Sequence, residues 1–462
     1  MAAQGPPATG GGLVNPPKRL IVALLLLSSA LFSSALFAQK AAMPQHSTPA
    51  KEPAAISRAE SAMDQQQWSQ AEAILRKLVA ANAKDARAWF DLGYVMHAQQ
   101  NYSEAIVAYR NAVAASPENF ECNLNLGMML AHENHSDASK YLEKATHLKP
   151  ASAHPEKSLA RAWAALAQIQ TTQRSGNATM NVALNSTLDS WSHAVALAPD
   201  DAQNRLALGT ALERSGDVSG AEREFRKARE LQPNSTDALA ALSNLLMRAK
   251  RLPEAEETLR RLVVMAPQDE SGHLQLGRVL SAEAKDVEAT AELQKALALR
   301  PDDWEALREL AFVQERGKQF VEAEKNYRKL LTHFPNDAEL HNGLGSVLLP
   351  QLQYAEAQRE FLVCLKLKPD WGEAWGQMAL AASGNKDYEL AVRALDARKK
   401  LLPELPSSYF LRATSYDHLR QFSHAAENYK AFLAASKGQF PDDEWKARHR
   451  LIAIDPEAKR KK

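Results

Sequence analysis

The chain has 462 residues, a formal net charge of +1 and a hydrophobic fraction of 45%. The near-zero charge excludes a globally basic nucleic-acid binder, and the apolar fraction is that of an ordinary folded protein. Only two cysteines are present, Cys122 and Cys364, so the sequence offers neither a disulfide framework nor a four-cysteine zinc site.

The first predicted element is an export segment. Residues 1–19 are rich in glycine and proline and end in Lys18 and Arg19, and an apolar run follows from Leu20 to Ala38. A basic stretch before such a run is typical of a signal peptide. The run is also just long enough to span a bilayer, so it could instead be retained as a membrane anchor. We expect no other contact with a membrane. In both cases we expect the rest of the chain outside the cytoplasm, either periplasmic or secreted, or anchored in the inner membrane.

A repeat follows a short linker. Residues 39–51 are rich in Ala, Pro, Gln and Ser, a composition that predicts a flexible segment. In the second half of the chain proline recurs every 34 residues, at Pro199, Pro233, Pro267, Pro301, Pro335, Pro369 and Pro403. An alanine stands twelve residues before each of these prolines from Pro233 on. Such a period indicates a stacked array, because one unit is too small to bury its own apolar face.

Residues 202–235 predict two amphipathic helices. Apolar residues recur at helical spacing, first at Leu206, Leu208 and Leu212 and then at Ala221, Phe225 and Ala228. Gly209 and Ala221 are small, so we expect the antiparallel helices to approach closely while Phe225 fills the space between neighbours. Pro233 costs about 3 kcal/mol in a helix interior, so the second helix must end before it.

This pattern resembles the tetratricopeptide repeat family, in an exported bacterial form. The unit 86–119 carries it most fully, with Trp89, Leu92, Gly93, Ala105, Tyr109, Ala112 and Pro117. The resemblance implies an all-α fold, a right-handed α-solenoid superhelix of about 11 stacked antiparallel helix pairs, over residues 52–439. We place the units at 52–85, 86–119, 120–152, 153–201, 202–235, 236–269, 270–303, 304–337, 338–371, 372–405 and 406–439.

Three places depart from the pattern. The fourth unit has about 15 extra residues, which we predict to form an enlarged turn at Thr171–Ser186, either a tolerated surface loop or part of a binding face. Arg398 occupies a position that is usually small. Residues 440–462 predict a helix that caps the array, followed by a basic tail. Its apolar residues are Trp445, Leu451, Ile452 and Ile454.

No constellation of residues predicts an enzyme. The segment His132-Glu133-Asn134-His135 lacks the H-E-x-x-H spacing that presents two histidines and a general base together, and it lies in a predicted turn. A G-x-S-x-G elbow, a phosphate-binding glycine loop and a dinucleotide fingerprint are all missing from the sequence. We therefore expect no catalytic residues, no metal and no cofactor.

In this family the first helix of each pair lines the concave side, and its positions 2, 5, 6, 9, 12 and 13 can meet a ligand. The resemblance thus implies a peptide-binding groove with Tyr94, Asn125, Asn244, Arg248, Gln275, Arg278, Asn342, Ser346 and Gln377; the alternative is that these are ordinary hydrated surface groups. Charges of both signs occupy these positions, which disfavours nucleic acid. The lysine, asparagine and arginine clamp with which some members hold a C-terminal carboxylate is also missing, because no pair of lysines accompanies Asn125 and Arg248.

The expected function is a non-enzymatic scaffold that binds an extended peptide or a partner protein of unknown identity in this groove. A rigid groove would leave most of the ordering cost to the ligand. Two alternatives stay open. One is a structural or assembly component of the cell envelope, anchored through residues 20–38 and able to self-associate. The other is an accessory subunit that presents substrate to a separate enzyme.

Overall fold

The structure is a computed structural model that describes residues 53–172 and 180–455. The predicted export segment, the linker and the basic tail lie outside the described residues. Within the described ranges the chain forms 23 α-helices and no strand, as the all-α prediction requires. The helices belong to two compact units that divide between Ala241 and Leu242, and each unit is described by itself.

The helices of the first unit are α1 (Pro53–Asp64), α2 (Trp68–Ala81), α3 (Ala86–Ala98), α4 (Tyr102–Ala115), α5 (Phe120–His132), α6 (Ala138–Thr146), α7 (Pro155–Thr172), α8 (Met180–Leu197), α9 (Ala202–Ser215) and α10 (Val218–Leu231). The boundary falls in α11 (Thr236–Arg248).

The second unit continues with α12 (Leu252–Met265), α13 (Glu270–Ala282), α14 (Asp286–Leu299), α15 (Trp304–Arg316), α16 (Phe320–His333), α17 (Ala338–Leu348), α18 (Tyr354–Leu367), α19 (Gly372–Gly384), α20 (Tyr388–Leu401), α21 (Pro406–His418), α22 (Phe422–Ser436) and α23 (Pro441–Ile454). Apart from α11, which contains the boundary, consecutive helices within each unit pack as antiparallel pairs, and the odd-numbered helices up to α21 are the first helices of their pairs.

Both ends of the helices follow from particular residues. The carboxylate of Asp201 caps α9 by accepting hydrogen bonds from the backbone N–H groups of Gln203 at 2.9 Å and Asn204 at 3.0 Å. Such a cap contributes about 1 kcal/mol, because these N–H groups have no partner inside the helix. At the other end, α10 stops two residues before Pro233, as predicted from the missing N–H of proline.

The turns inside the pairs share one left-handed residue. In α9–α10 it is Gly216, with φ of +91°. One period apart along the chain, other residues take its place, with φ between +57° and +64°: Lys250, Ala284, Lys318, Leu352, Lys386 and Arg420. A side chain in this region costs roughly 1–2 kcal/mol. The packing of the paired helices therefore imposes the turn, and glycine is not required for it.

The predicted close approach within each pair is confirmed. A Cβ atom added to Gly209 would lie 2.6 Å from the ring atoms Cδ1 and Cε1 of Phe225, which is fully buried. The same crossing recurs between Gly93 and Tyr109, where a Cβ atom would lie 2.7 Å from the ring. The first helix therefore lacks a side chain where the second helix inserts its largest one.

The fourth pair differs from the predicted enlarged turn. Helix α7 runs to Thr172 and α8 begins at Met180, so part of the segment Thr171–Ser186 is helical, and residues 173–179 lie outside the described residues. The rings of Trp163 and His193 stack at 4.4 Å, and Ala167 shares a buried cluster with Trp191.

These contacts set the register of the fourth pair. Ala167 and Trp191 take the places that Gly93 and Tyr109 hold in the second pair, so Trp163 corresponds to Trp89. By this alignment seven extra residues precede Trp163, and eight lie between it and Trp191. By this alignment the extra residues fall in two places and not in the single insertion predicted, because the packing of Trp191 with Ala167 fixes the register and the spacing of the prolines does not.

Two predictions near the C-terminus are refined by the packing. Arg398 is buried, and its Nη1 donates to the Pro403 carbonyl at 2.9 Å, while Gly376 leaves room beside its side chain. In α23 only part of the expected apolar face packs. Leu451 is buried, whereas Trp445 remains 59% exposed. No helix in the described ranges is long and apolar enough to cross a membrane.

Candidate functional site

We define the first-helix face as the side chains at positions 2, 5, 6, 9, 12 and 13 of the first helices, counted from the start of each predicted unit. In the second compact unit each first helix contacts the next one, in the order α13, α15, α17, α19 and α21. The corresponding positions of neighbouring pairs therefore lie side by side over residues 270–418.

Arg278 joins two first helices. Its guanidinium pairs with Glu305, and its Nε lies 3.4 Å from an oxygen of Glu309; both acids are on α15. The Arg278 side chain is only 21% exposed. It is therefore already engaged inside the array, and the sequence did not predict this role.

The structure brings three of the predicted groove residues together. Ser346 on α17 donates a hydrogen bond to the side-chain carbonyl of Gln377 on α19. Asn342 lies one turn before Ser346, and its Oδ1 is buried without a hydrogen-bond partner. These residues form a continuous polar strip across two first helices.

The other predicted residues are more scattered. Asn125 donates to the carbonyl of Glu121 in its own helix at 2.8 Å. Tyr94 packs edge-on against Trp68, with ring centroids 6.3 Å apart. Asn244 and Gln275 are half-buried, and Arg248 is exposed at the end of α11. Of this group, Asn125 and Tyr94 are engaged in contacts inside the first compact unit.

Two apolar residues on the face were missed by sequence reasoning. Phe312 on α15 and Leu380 on α19 are 50% and 52% exposed. Both occupy position 9, the position of Arg278 and Ser346 in their own pairs. The positional rule alone would have found them, but the search for polar ligand groups passed over them.

The charges of the face between residues 270 and 384 are predominantly negative. The carboxylates are Glu305, Glu309, Glu315, Glu339 and Glu373, and the guanidiniums are Arg278, Arg308 and Arg316. Arg308 pairs with Asp337 at 2.6 Å, and Arg316 pairs with Asp286 and donates to the Ser281 carbonyl at 2.6 Å. Glu339 and Glu373 are exposed, and the described part of the chain places no cation within ion-pair distance of either.

Glu315 forms a hydrogen bond to the second helix of its own pair. Tyr327 on α16 donates its hydroxyl to Glu315 at 2.6 Å, and burial raises the pKa of the Glu315 carboxyl. Gly343 makes room for this contact, because a Cβ atom there would lie 2.5 Å from Tyr327 Cζ. The Tyr327 hydroxyl thus reaches through to the first-helix face.

In the first compact unit, Arg161 on α7 is a further residue that sequence reasoning missed. Its Nε is buried without a hydrogen-bond partner, and burial lowers the pKa of its guanidinium. When Trp163 is aligned with Trp89, Arg161 corresponds to Arg87, which holds position 2 of the second unit. The misplaced insertion hid this position from the sequence analysis.

His132 and the two cysteines, which were considered as possible ligands or nucleophiles, contact other groups of the chain or are buried. His132 Nδ1 lies 2.8 Å from Glu133, and its ring packs on Tyr102. In the described ranges no three potential ligands are grouped to hold a metal ion. Cys122 and Cys364 are buried free thiols, and burial raises their pKa values to about 12 and about 11.

The fold defines a class of protein, an α-solenoid built from helix pairs. The tetratricopeptide repeat family matches residues 56–120, 98–153, 206–270 and 288–338. The predicted resemblance to the tetratricopeptide repeat family is confirmed over these stretches, whereas the exported bacterial form stays a prediction. Members of this family are in general protein-interaction scaffolds, and this chain has their fold.

Several solved structures are similar to parts of the chain. One is the APC/C hetero-tetramer Cut9–Hcn1, with 14% identity, 86% of this chain and 96% of that chain covered, and a TM-score of 0.40. PilF from Pseudomonas aeruginosa has 19% identity, coverages of 48% and 96%, and a TM-score of 0.36. MamA from Desulfovibrio magneticus RS-1 has 21% identity, coverages of 37% and 93%, and a TM-score of 0.34. At these levels the similarities carry no functional argument. No curated protein sequence matches the chain significantly.

Proposed function

We propose that this chain is a non-enzymatic scaffold whose first-helix face binds an extended peptide or the surface of a partner protein. The observation that carries the proposal is the exposure of Phe312 and Leu380 on that face, on either side of Asn342. Aromatic and aliphatic side chains at equivalent positions of neighbouring first helices can act as anchors for a partner. The buried Asn342 oxygen between them lacks a hydrogen-bond donor, at a cost of about 1–3 kcal/mol.

Binding would use a surface that is already ordered. Arg278 with Glu305, and Ser346 with Gln377, tie neighbouring first helices together. Since these contacts exist before a ligand arrives, the ordering cost falls mainly on the partner. The nine residues predicted for the groove stay predictions, and within the second compact unit Phe312 and Leu380 would be the apolar anchors.

Site-specific photocrosslinking tests this function. We would place p-benzoylphenylalanine at Phe312 or Leu380 and expose the chain to an extract of its native cells. The control positions are Val287 and Val264, which are 81% and 76% exposed on the second helices α14 and α12. We expect partner adducts from the first-helix positions alone. Equal adducts from all four positions would contradict a binding face on the first helices.

We also propose that the array works outside the cytoplasm. The basis is the basic pair Lys18 and Arg19 before the apolar run Leu20–Ala38. Sequencing the native N-terminus in each cell fraction tests this. A start near Gln39 would indicate a cleaved signal, and an intact N-terminus in the membrane fraction would favour the anchored envelope component. An intact chain confined to the cytoplasm would rule out export.

A further inference from the structure

We propose that the first-helix face of α15, α17 and α19 selects a basic and apolar segment of a partner protein. Such a segment would be extended and would carry Lys or Arg side chains next to a large aliphatic or aromatic one. This inference rests on the proposed function and adds the chemistry of the partner to it.

The first argument is the way in which the arginines of the face are neutralised. Arg308 is opposed by Asp337, and Arg316 is opposed by Asp286. A partner carboxylate would therefore have to displace an existing ion pair before it could bind either guanidinium. Such an exchange gains little, so an acidic segment has no unopposed cation to bind on α15.

Two carboxylates on the neighbouring first helices have no ion-pair partner among the described residues. Glu339 on α17 and Glu373 on α19 are exposed, and both occupy position 2 of the first-helix face. In the described part of the chain neither lies within ion-pair distance of a lysine or an arginine, although Lys368 lines the same surface pocket as Glu339. Their field attracts a cationic segment and repels an anionic one, a nucleic acid included.

The second argument is the apolar shape of the face. Helix α17 contacts both α15 and α19, so it lies between the exposed side chains of Phe312 and Leu380. On that middle helix positions 6 and 9 of the face carry Gly343 and Ser346, which are small, whereas positions 2, 5 and 12 carry Glu339, Asn342 and Leu349. The two apolar groups thus lie on either side of this stretch, and each can cover an aliphatic or aromatic side chain of an extended partner segment that crosses the three helices.

The third argument is a polar group on that middle helix. Asn342 on α17 has a buried Oδ1 that accepts no hydrogen bond. The oxygen is closed to solvent, so a partner can reach it only by displacing the side chains that cover it. A backbone N–H or a lysine ammonium would then supply the missing donor, and a carboxylate would not. An extended segment presents backbone N–H groups at regular intervals, so this group supports the charge and apolar arguments and does not carry the inference alone.

The probe for this inference is a set of three fluorescein-labelled peptides of about 12 residues. The first alternates lysine and leucine with serine spacers, the second has glutamate in place of lysine, and the third has serine in place of leucine. Fluorescence anisotropy with the purified chain at low salt measures their affinities. We expect the lysine and leucine peptide to bind at least about tenfold more tightly than either of the others.

A matched pair of double variants tests the location. Glu339→Lys with Glu373→Lys removes the unopposed acids of the face. Glu322→Lys with Glu389→Lys changes two exposed acids in the first turns of the second helices α16 and α20, so both variants carry the same charge change at helix starts. We expect the first variant to lose the preference for the basic peptide and the second to keep it.

The outcomes separate this inference from the proposed function. Equal binding of the acidic peptide, or equal loss in both double variants, overturns the partner chemistry. If crosslinks still form at Phe312 and Leu380 in that case, the scaffold function stands without it. Adducts that contain only a second copy of the chain would overturn a basic partner segment and identify self-association instead.

Discussion

At the scale of single residues, the crossing of a helix pair depends on the missing side chain of Gly209. The Phe225 ring occupies the space that a Cβ atom would need. We expect Gly209→Leu to lower the free energy of unfolding by about 1–3 kcal/mol, because overpacking forces the helices apart. Urea unfolding measures the change. Gln203→Leu, at an exposed position of the same helix, is the control and should leave the midpoint nearly unchanged.

A second residue-scale feature is a pair of acids that share a buried site. Burial, together with the neighbouring Asp303, raises the pKa of Glu270 to about 7. One oxygen of Glu270 pairs with Arg300 at 2.7 Å, and the other is buried without a donor. A protonated Glu270 can donate to Asp303, whereas an ionised one faces a second carboxylate. The contribution of Glu270 to stability is therefore complete below its unfolded pKa and is lost as the pH rises through about 7.

The direction of this pH dependence can be tested by a substitution at Glu270. In Glu270→Gln the amide can donate to Asp303 at every pH while its oxygen still accepts from Arg300. We expect the melting temperature of the variant, relative to the natural chain, to increase from pH 5 to about pH 7 and then to level off. Glu257→Gln, on an exposed glutamate, should show a constant difference. A variant whose disadvantage grows with pH would show that Glu270 is needed in its ionised form.

At the scale of one helix, Asp337 both starts α17 and connects it to the preceding pair. Its Oδ1 accepts from the backbone N–H groups of Glu339 at 2.9 Å and Leu340 at 3.2 Å, and its Oδ2 accepts from Arg308 at 2.6 Å. We expect Asp337→Ala to cost about 1–2 kcal/mol, the usual effect of losing a cap. Thermal unfolding followed by circular dichroism measures it. The neighbouring Asn336→Ala, which is exposed, should have no comparable effect.

At the scale of the whole chain, stability in a repeat array comes from contacts between neighbours. Helix α23 packs on α22, where it buries Leu451 and accepts hydrogen bonds on Glu444 from Ser436 and from the Gly438 backbone. We expect deletion of residues 441–462 to reduce hydrogen-exchange protection in α21 and α22 and to leave α3–α6 unchanged. Exchange followed by mass spectrometry resolves the two regions. A uniform loss along the chain would show that it unfolds as one cooperative body.

The fold could be predicted because its repeating features depend on local chemistry. Pro233 ends α10 through the N–H that it lacks, and Gly209 permits a close crossing in whatever array contains it. These constraints recur every 34 residues, so the period alone predicts paired helices. The handedness of the superhelix and the export of the chain stay predictions.

The surface was decided by tertiary contacts that no single repeat contains. Arg278 is neutralised by acids of the next first helix, and the register of the fourth pair follows from the burial of Trp191 and the packing of Trp163 against its cluster. The exposure of Phe312 and the missing partner of Asn342 likewise depend on what the adjacent helices leave uncovered. Sequence by itself therefore determined the helix pairs and their ends, because these depend on residues within one period. Only the tertiary structure decided which charges stay unopposed and which apolar groups stay exposed, because these depend on the side chains that neighbouring repeats bring together.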